Sequence, residues 1–227
     1  MEVLGILAVV AAAIAALAIS LHLKAKRRAA FRAFALQHGL EFAEGDPFGL
    51  LGWPFDLFHR GDGRGIDHVL WGTWRDTKLQ AFDYWYYTES TDSQGHRSRS
   101  YRRFSGVVIE VPAAFPHLTM AREGLFTRLA DHLGMEDIEF ESPEFNRRYN
   151  VMAGERRFAY ELIDGRMLEW LVGFDQGLAF EVMGNRVLAY GPRVKPSALL
   201  GLIGTAAMFR DRIPPVAWSL YPVAETP

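Results

Sequence analysis

The chain has 227 residues, 49% hydrophobic and 23% charged, with 25 Lys+Arg against 27 Asp+Glu and a formal net charge of −2. These fractions exclude a largely disordered chain, and the balance of charge lacks the basic excess of a dedicated nucleic-acid binder. The absence of cysteine excludes disulfide scaffolds, cysteine-ligated zinc, iron–sulfur clusters and thiol catalysis.

Residues 3–23 carry no formal charge, and their only polar side chains are Ser20 and His22. As a helix this run is about 30 Å long, the thickness of a bilayer's hydrocarbon core. Its 11 Val, Leu and Ile residues contribute roughly −3 to −7 kcal/mol to insertion. The segment is therefore expected to lie in the lipid bilayer. A cleaved leader is the alternative, with Ala16-Leu17-Ala18 as the cleavage-like stretch. It is disfavoured because Met1-Glu2 carries no basic side chain and the apolar run is too long. Ala8, Ala12, Ala16 and Ser20 form a small-residue stripe, but with 7 alanines in the run such a stripe arises by chance, and the oligomeric state stays open.

The basic residues that follow the run, Lys24, Lys26, Arg27, Arg28 and Arg32, form a collar that sets topology. By the positive-inside rule it stays in the cytoplasm and leaves the N-terminus outside. Beyond it, residues 33–227 hold 26 acids and 20 bases, a net of −6. This divides the chain into an anchor (1–23), a basic juxtamembrane stem helix (24–39) and a cytosolic α+β domain (40–227).

In chain order, Phe31, Phe34, Ala35 and His38 recur at helical spacing before Gly39, so the membrane helix is expected to continue as a stem that docks on the body. Ile66–Trp74 and Lys78–Thr88 read as two strands joined at Arg75-Asp76-Thr77. That turn places Val69, Trp71, Leu79, Ala81, Trp85 and Tyr87 on one face and Leu70, Trp74, Phe82, Tyr84 and Tyr86 on the other. With apolar residues on both, the pair should be covered on both sides. The polar stretch Glu89–Ser100 reads as an exposed loop, and Tyr101–Val111 as a third strand. A helix is expected over 125–133, a short strand over Ile138–Phe140, and a helical turn capped by Ser142 with Pro143 at its first position. Two short helices flank Gly165. Leu178–Met183 and Arg186–Tyr190 read as a hairpin over Gly184-Asn185. A last helix runs from Pro196 to Pro214-Pro215; its uncharged part, Ala198–Phe209, is too short to span a bilayer and belongs in a core. The body is an α+β unit with an antiparallel sheet, either one piece or two lobes, 40–111 and 112–227, meeting near Pro112–Pro116.

The stretch Glu141-Ser142-Pro143-Glu144-Phe145-Asn146-Arg147-Arg148-Tyr149-Asn150-Val151, together with Ala159, Leu162, Met167-Leu168, Trp170-Leu171, Phe180 and Val187, resembles a bacterial domain-of-unknown-function family, number thirty-one thirty-seven. Phe104-Ser105-Gly106-Val107-Val108 resembles that family's preceding core strand, so the likeness covers residues 100–190. The resemblance implies a membrane-anchored protein and supplies no catalytic residue or cofactor. The family is associated with paired membrane segments, whereas this chain shows a single one.

No hydrolase, zincin, P-loop or dinucleotide motif is present, and no cofactor is expected. The densest polar group is His59, Asp62, Asp67 and His68, residue types that hold Zn or Mn. Their spacing matches no ligand signature, so a glycine-rich loop between strands is the preferred reading. Arg97, Arg99, Arg102 and Arg103 around Tyr101 could grip nucleic acid, but a solvated strand end is preferred. Trp71, Trp74 and Trp85 are candidates for a partner surface, against the alternative of a bulky sheet core. The expected function is a non-enzymatic binding or scaffolding module at the inner membrane face, with the bilayer and another membrane or inner-face protein as partners. The alternative is a membrane-associated, hydrolase-like enzyme using the His59–His68 loop.

Overall fold

In the computed structural model, residues 2–122, 134–174 and 177–223 are described, with side chains from residue 5 onward. The helix expected over 125–133 lies outside them.

One unbroken helix, α1 (Glu2–His38), carries both the apolar run and the stem. At 1.5 Å per residue it is about 56 Å long, nearly twice the hydrocarbon thickness. Its apolar part reaches a mean hydropathy of 2.5 and none of it is buried against the body. The last three turns behave differently. Phe31, Phe34 and Ala35 are buried in the main core, and each phenylalanine contributes about 1.5–3 kcal/mol by leaving water. Gly39 stops the helix at φ +66°, which lets the Leu40 N–H reach the Ala35 carbonyl at 2.9 Å, the six-to-one bond of a Schellman cap.

The body is built on a seven-stranded antiparallel sheet of β1 (Glu41–Ala43), β2 (Gly63–Trp74), β3 (Thr77–Thr91), β4 (Arg97–Ala121), β5 (Glu136–Asp137), β6 (Asn150–Ala153) and β7 (Ala179–Pro192). The order is β1-β2-β3-β4-β6-β5, with β7 on the other edge of β4. At 25 residues β4 is the spine. Its first half lies between β3 and β7, its second between β6 and β7. It runs through Pro112–Pro116, with register irregularities between Glu110 and Leu118.

The helices follow the capping signals. Ser142 accepts from the Phe145 N–H at 3.3 Å to start α2 (Pro143–Arg148). Asp164 accepts from Met167 N–H to start α4 (Gly165–Gly173), after α3 (Arg156–Leu162). In α5 (Leu199–Arg212), Leu199, Leu202, Ile203, Ala206 and Phe209 are buried against the sheet. A further short helix, α6 (Pro215–Leu220), follows the two prolines.

The sheet is covered on both faces. One face carries Leu79, Ala81, Val107 and Ile109 into a core with α1 and α5. The other carries Phe82, Tyr84, Tyr86 and Phe104 against Leu50, Phe55, Leu57 and Phe58, from two 3₁₀ turns at Leu50–Gly52 and Asp56–His59.

Four expectations change. The short strand is at Glu136–Asp137, just ahead of the expected Ile138–Phe140. The β2–β3 turn has two residues, Arg75 and Asp76, both with positive φ, so Trp74 pairs with Thr77 and Leu70 with Ala81. Leu70 and Trp74 therefore share a face with Leu79, Ala81 and Trp85, and Val69 and Trp71 move to the other. A turn one residue shorter exchanges the faces of the preceding strand, here as far as the bulge between Asp67 and Leu70. Glu89–Ser100 is mostly strand, with Glu89 opposite Arg99, Ser90 opposite Ser98 and Thr91 opposite Arg97. The Glu89–Arg99 ion pair at 2.8 Å and Asp92, whose carboxylate caps the Gln94 and His96 N–H groups, hold this polar hairpin end together. Gly184-Asn185 is no hairpin: β7 passes straight through. Gly184, at φ +57°, takes up the irregularity opposite Phe115 of β4, the role a glycine plays in a β-bulge.

Candidate functional site: a cleft between the stem and the sheet

The apolar part of α1 is not buried against the body, and the side chain that ties the helix to the sheet beyond it is Arg27. Its Nε and Nη2 donate to the two carboxylate oxygens of Asp83 at 2.5 and 2.7 Å, and Nη2 also donates to the Val194 carbonyl at 2.9 Å. Asp83 lies in the apolar strand Ala81–Tyr87 and is 3% exposed. It also accepts from Ser105 Oγ at 3.0 Å and faces His68 Nδ1 at 3.5 Å and Arg193 Nε at 3.7 Å. Burial alone would push its carboxyl up, but the His68 and Arg27 hydrogen bonds and the guanidinium charges outweigh that and hold it below the usual carboxylate range. Arg27 was expected to act only in the topology-setting collar. It is also a structural bolt, because a bidentate guanidinium–carboxylate pair shielded from water is strong and directional.

The rest of the collar divides. Arg28 and Arg32 face Glu44 at 3.0 and 3.7 Å on the surface. Lys24 and Lys26 make no ion pair among the described residues.

Above the bolt, helix and sheet enclose a cleft of about 820 Å³. Lys24 and Arg28 reach it from α1, and Trp85, Tyr101, Arg103 and Arg193 from the body. Trp85 is half-buried, with Tyr87 stacked beside it at 6.4 Å and Tyr101 at 6.0 Å between ring centroids. These rings lie flat because β2 offers them glycines. A Cβ on Gly65 would stand 2.6 Å from the Trp85 ring, and one on Gly63 would stand 2.4 Å from Tyr87. The guanidinium of Arg103 sits 5.6 Å from the Tyr101 ring centroid, within cation–π range. Burial and the charges of Arg27 and Arg103 push the Arg193 guanidinium below its ordinary range, against the opposing pull of Asp83.

The sequence-derived metal candidates are not brought together. His59 is exposed at the end of a 3₁₀ turn, and Asp62 accepts from the Glu89 N–H at 2.7 Å. Asp67 and His68 lie on β2, where His68 takes φ +50° at a bulge. Along an extended strand Asp62 and His68 are about 20 Å apart. Gly63 and Gly65 are strand residues beneath aromatic rings, so the loop reading of this stretch is also corrected. Nor do the three tryptophans share a surface. Trp71 packs on Phe48 beside the second core, Trp74 packs on the main core under Arg75, and only Trp85 enters the cleft.

A different group has metal-ligand spacing. Asp56, His117 and Glu181 place one ligand atom each within 4.8 Å of one another. Glu181, 1% exposed in β7, accepts from the Asp56 N–H at 2.5 Å and the Leu57 N–H at 3.5 Å, so it caps the 3₁₀ turn. His117 Nε2 lies 2.9 Å from Glu181 and 3.8 Å from Asp56. Burial raises the Glu181 carboxyl pKa, with Asp56 adding to it and His117 opposing. Burial lowers that of His117, but the hydrogen bond and charges of Glu181 and Asp56 raise it on balance. Both oxygens of Glu181 already serve backbone donors, which fits a structural cap better than an open coordination position.

Both Asp83 and Glu181 were missed from sequence, although each carried a signal: a lone carboxylate inside an apolar strand, at AFDYWYY and LAFEVM. A buried carboxylate has to be paired.

No family model matches the chain, and no curated protein sequence does. A solved structure is similar in fold: the crystal structure of the mycobacterial trehalose monomycolate transport factor A, TtfA, aligns with a TM-score of 0.61 at 16% sequence identity, over 88% of this chain and 100% of that one. At that identity, what the two share is the fold.

Proposed function

We propose that the protein is a non-enzymatic, single-pass membrane module whose body binds or scaffolds a partner at the inner face of the membrane. The observation that carries this is the continuity of α1. The same rod that is apolar and unburied over its first half enters the body's core through Phe31, Phe34 and Ala35. A body held this way keeps a fixed height and orientation over the bilayer. The five basic residues after the apolar run favour a cytoplasmic body, and the likeness to a transport factor favours an accessory role beside membrane transport. The resemblance of residues 100–190 to a membrane-anchored family supports the same reading. The two histidines of the enzymatic alternative do not converge, and no observation favours that reading.

The absence of native cysteine makes the test simple. In intact cells, a membrane-impermeant maleimide should label Glu2→Cys and should reach Gln94→Cys only after lysis. The reverse pattern overturns the orientation, and recovery of the full chain in the soluble fraction overturns the tether. A photo-crosslinker at Gln94 or Arg97, on the hairpin tip, should yield a discrete protein adduct in membranes; none at either position contradicts a partner-binding role.

A further inference from the structure

The cleft has a composition that the anchor's geometry does not require. Of its seven charged side chains apart from His68, five are cationic (Lys24, Arg27, Arg28, Arg103, Arg193) and two are acidic (Glu44, Asp67). Asp83 occupies Arg27 and Glu44 occupies Arg28. Arg193 shares Asp83 with Arg27, at 3.7 Å, which leaves Lys24 and Arg103 facing the same space without an ion-pair partner among the described residues, and Asp67 as the acid of the lining not yet matched. The cleft therefore favours an anion.

Its position says which anion. The lining of α1 runs from Ser20 to Arg28, a rise of about 12 Å along the helix. It starts inside the apolar run, where Leu21 and Leu23 are 57% and 58% exposed, and ends beyond the first basic residues. A headgroup layer is about 5–8 Å deep, so the cleft spans that layer and the first carbons below it. Trp85 and Tyr101 stand at the same level, where amphipathic rings are favoured at the lipid–water boundary. A ligand that is anionic at one end and apolar at the other would satisfy both ends of the cleft together; a free anion would leave the leucines and rings against water.

We propose that this cleft is a headgroup site for an anionic phospholipid of the leaflet from which α1 emerges. The phosphate lies between Lys24, Arg103 and Arg193, the headgroup rests on Trp85 and Tyr101, and an acyl chain runs back along Leu23 and Leu21. The site rests on the membrane-tethered reading, which maleimide labelling tests separately.

The test uses the full chain reconstituted in nanodiscs of phosphatidylcholine, with bromine-labelled phosphatidylglycerol or bromine-labelled phosphatidylcholine added in a titration. The quenched probe is the Trp85 emission, defined by subtracting Trp85→Phe. Brominated phosphatidylglycerol should quench it at a mole fraction lower by on the order of tenfold, given about one to two net unmatched positive charges at about 1 kcal/mol each. Arg103→Gln with Arg193→Gln should abolish that preference, while Arg75→Gln, at the opposite end of β2, should keep it. Native mass spectrometry of the wild-type chain gives an independent reading that needs no variant: phosphatidylglycerol should be retained over phosphatidylcholine. Equal quenching by the two lipids, a preference that survives the double substitution, or equal retention would overturn the proposal. So would loss of the preference on adding inorganic phosphate but not chloride of the same ionic strength, because the occupant would then be a soluble phosphate compound. Any of these results alongside correct maleimide labelling would leave the tether intact and remove only the lipid site.

Discussion

Asp83 and Arg27 are 56 positions apart, and each alone would be costly where it sits. With their side chains 5% and 12% exposed, they form a buried pair whose rupture leaves an uncompensated charge. Arg27→Gln or Asp83→Asn should each destabilise the chain by about 3–5 kcal/mol, read as a fall in the melting temperature of the detergent-solubilised protein. Because the Asp83 pKa is depressed in the folded state, the pair's contribution is complete above the unfolded carboxylate pKa and is lost as pH falls through the lower folded value. His117 and Glu181 act in the opposite sense. Both are raised on folding, so their contribution is complete at low pH and is lost as pH rises through their folded values. Melting temperature measured from pH 5.5 to 9 should therefore decline across the neutral range, and His117→Gln should flatten that decline. If the cluster is a cap and not a metal site, a chelator should leave the wild-type curve where it is.

Between elements, register decides which side chains meet. Arg75 and Asp76 both occupy the left-handed region, which non-glycine residues enter at a cost of roughly 1–2 kcal/mol. Asp76→Gly should therefore stabilise the hairpin by up to about 1 kcal/mol, measurable as a higher denaturation midpoint. Adding one residue to this turn should prevent folding, because it would carry Leu70 and Trp74 out of the main core. Gly65 is the other sensitive position: Gly65→Val should lift Trp85 off β2 at a cost of about 1–3 kcal/mol and shift its emission. The periodic elements were legible in the sequence for physical reasons. The 3.6-residue spacing of Phe31, Phe34 and Ala35, the Ser142 cap and the apolar face of α5 are local features, and the structure keeps them. What was not legible depended on distant strands. Glu89–Ser100 pairs with itself across a polar hairpin that lacks the apolar alternation used to recognise strands. Gly184-Asn185 carries the chemistry of a tight turn, but β4 is long enough to pair on both sides of it, so the glycine's freedom is used in a bulge. The cleft could not be read locally either. It joins residues 20–28 to residues 44–103 and to Arg193, and its aromatic floor depends on glycines that look, in sequence, like a loop.

At the scale of the molecule, the helix that leaves the apolar run is the same helix that completes the core, so tether and body move as one. Flexible linkers decouple a domain from its anchor; here the main core and the Arg27–Asp83 bolt couple them. The consequence is positional: one face of the sheet, with Trp85, Tyr101 and Arg103, is carried beside the apolar part of α1 and cannot turn away without breaking a buried ion pair. The most direct measurement of this is the bilayer depth of two nitroxide labels in reconstituted vesicles, one at Lys26→Cys on the stem and one at Tyr101→Cys, on the cleft face of β4. Both should report the headgroup layer by their relative exposure to oxygen and to a water-soluble nickel chelate. A stem label in that layer with the β4 label in bulk water would contradict it.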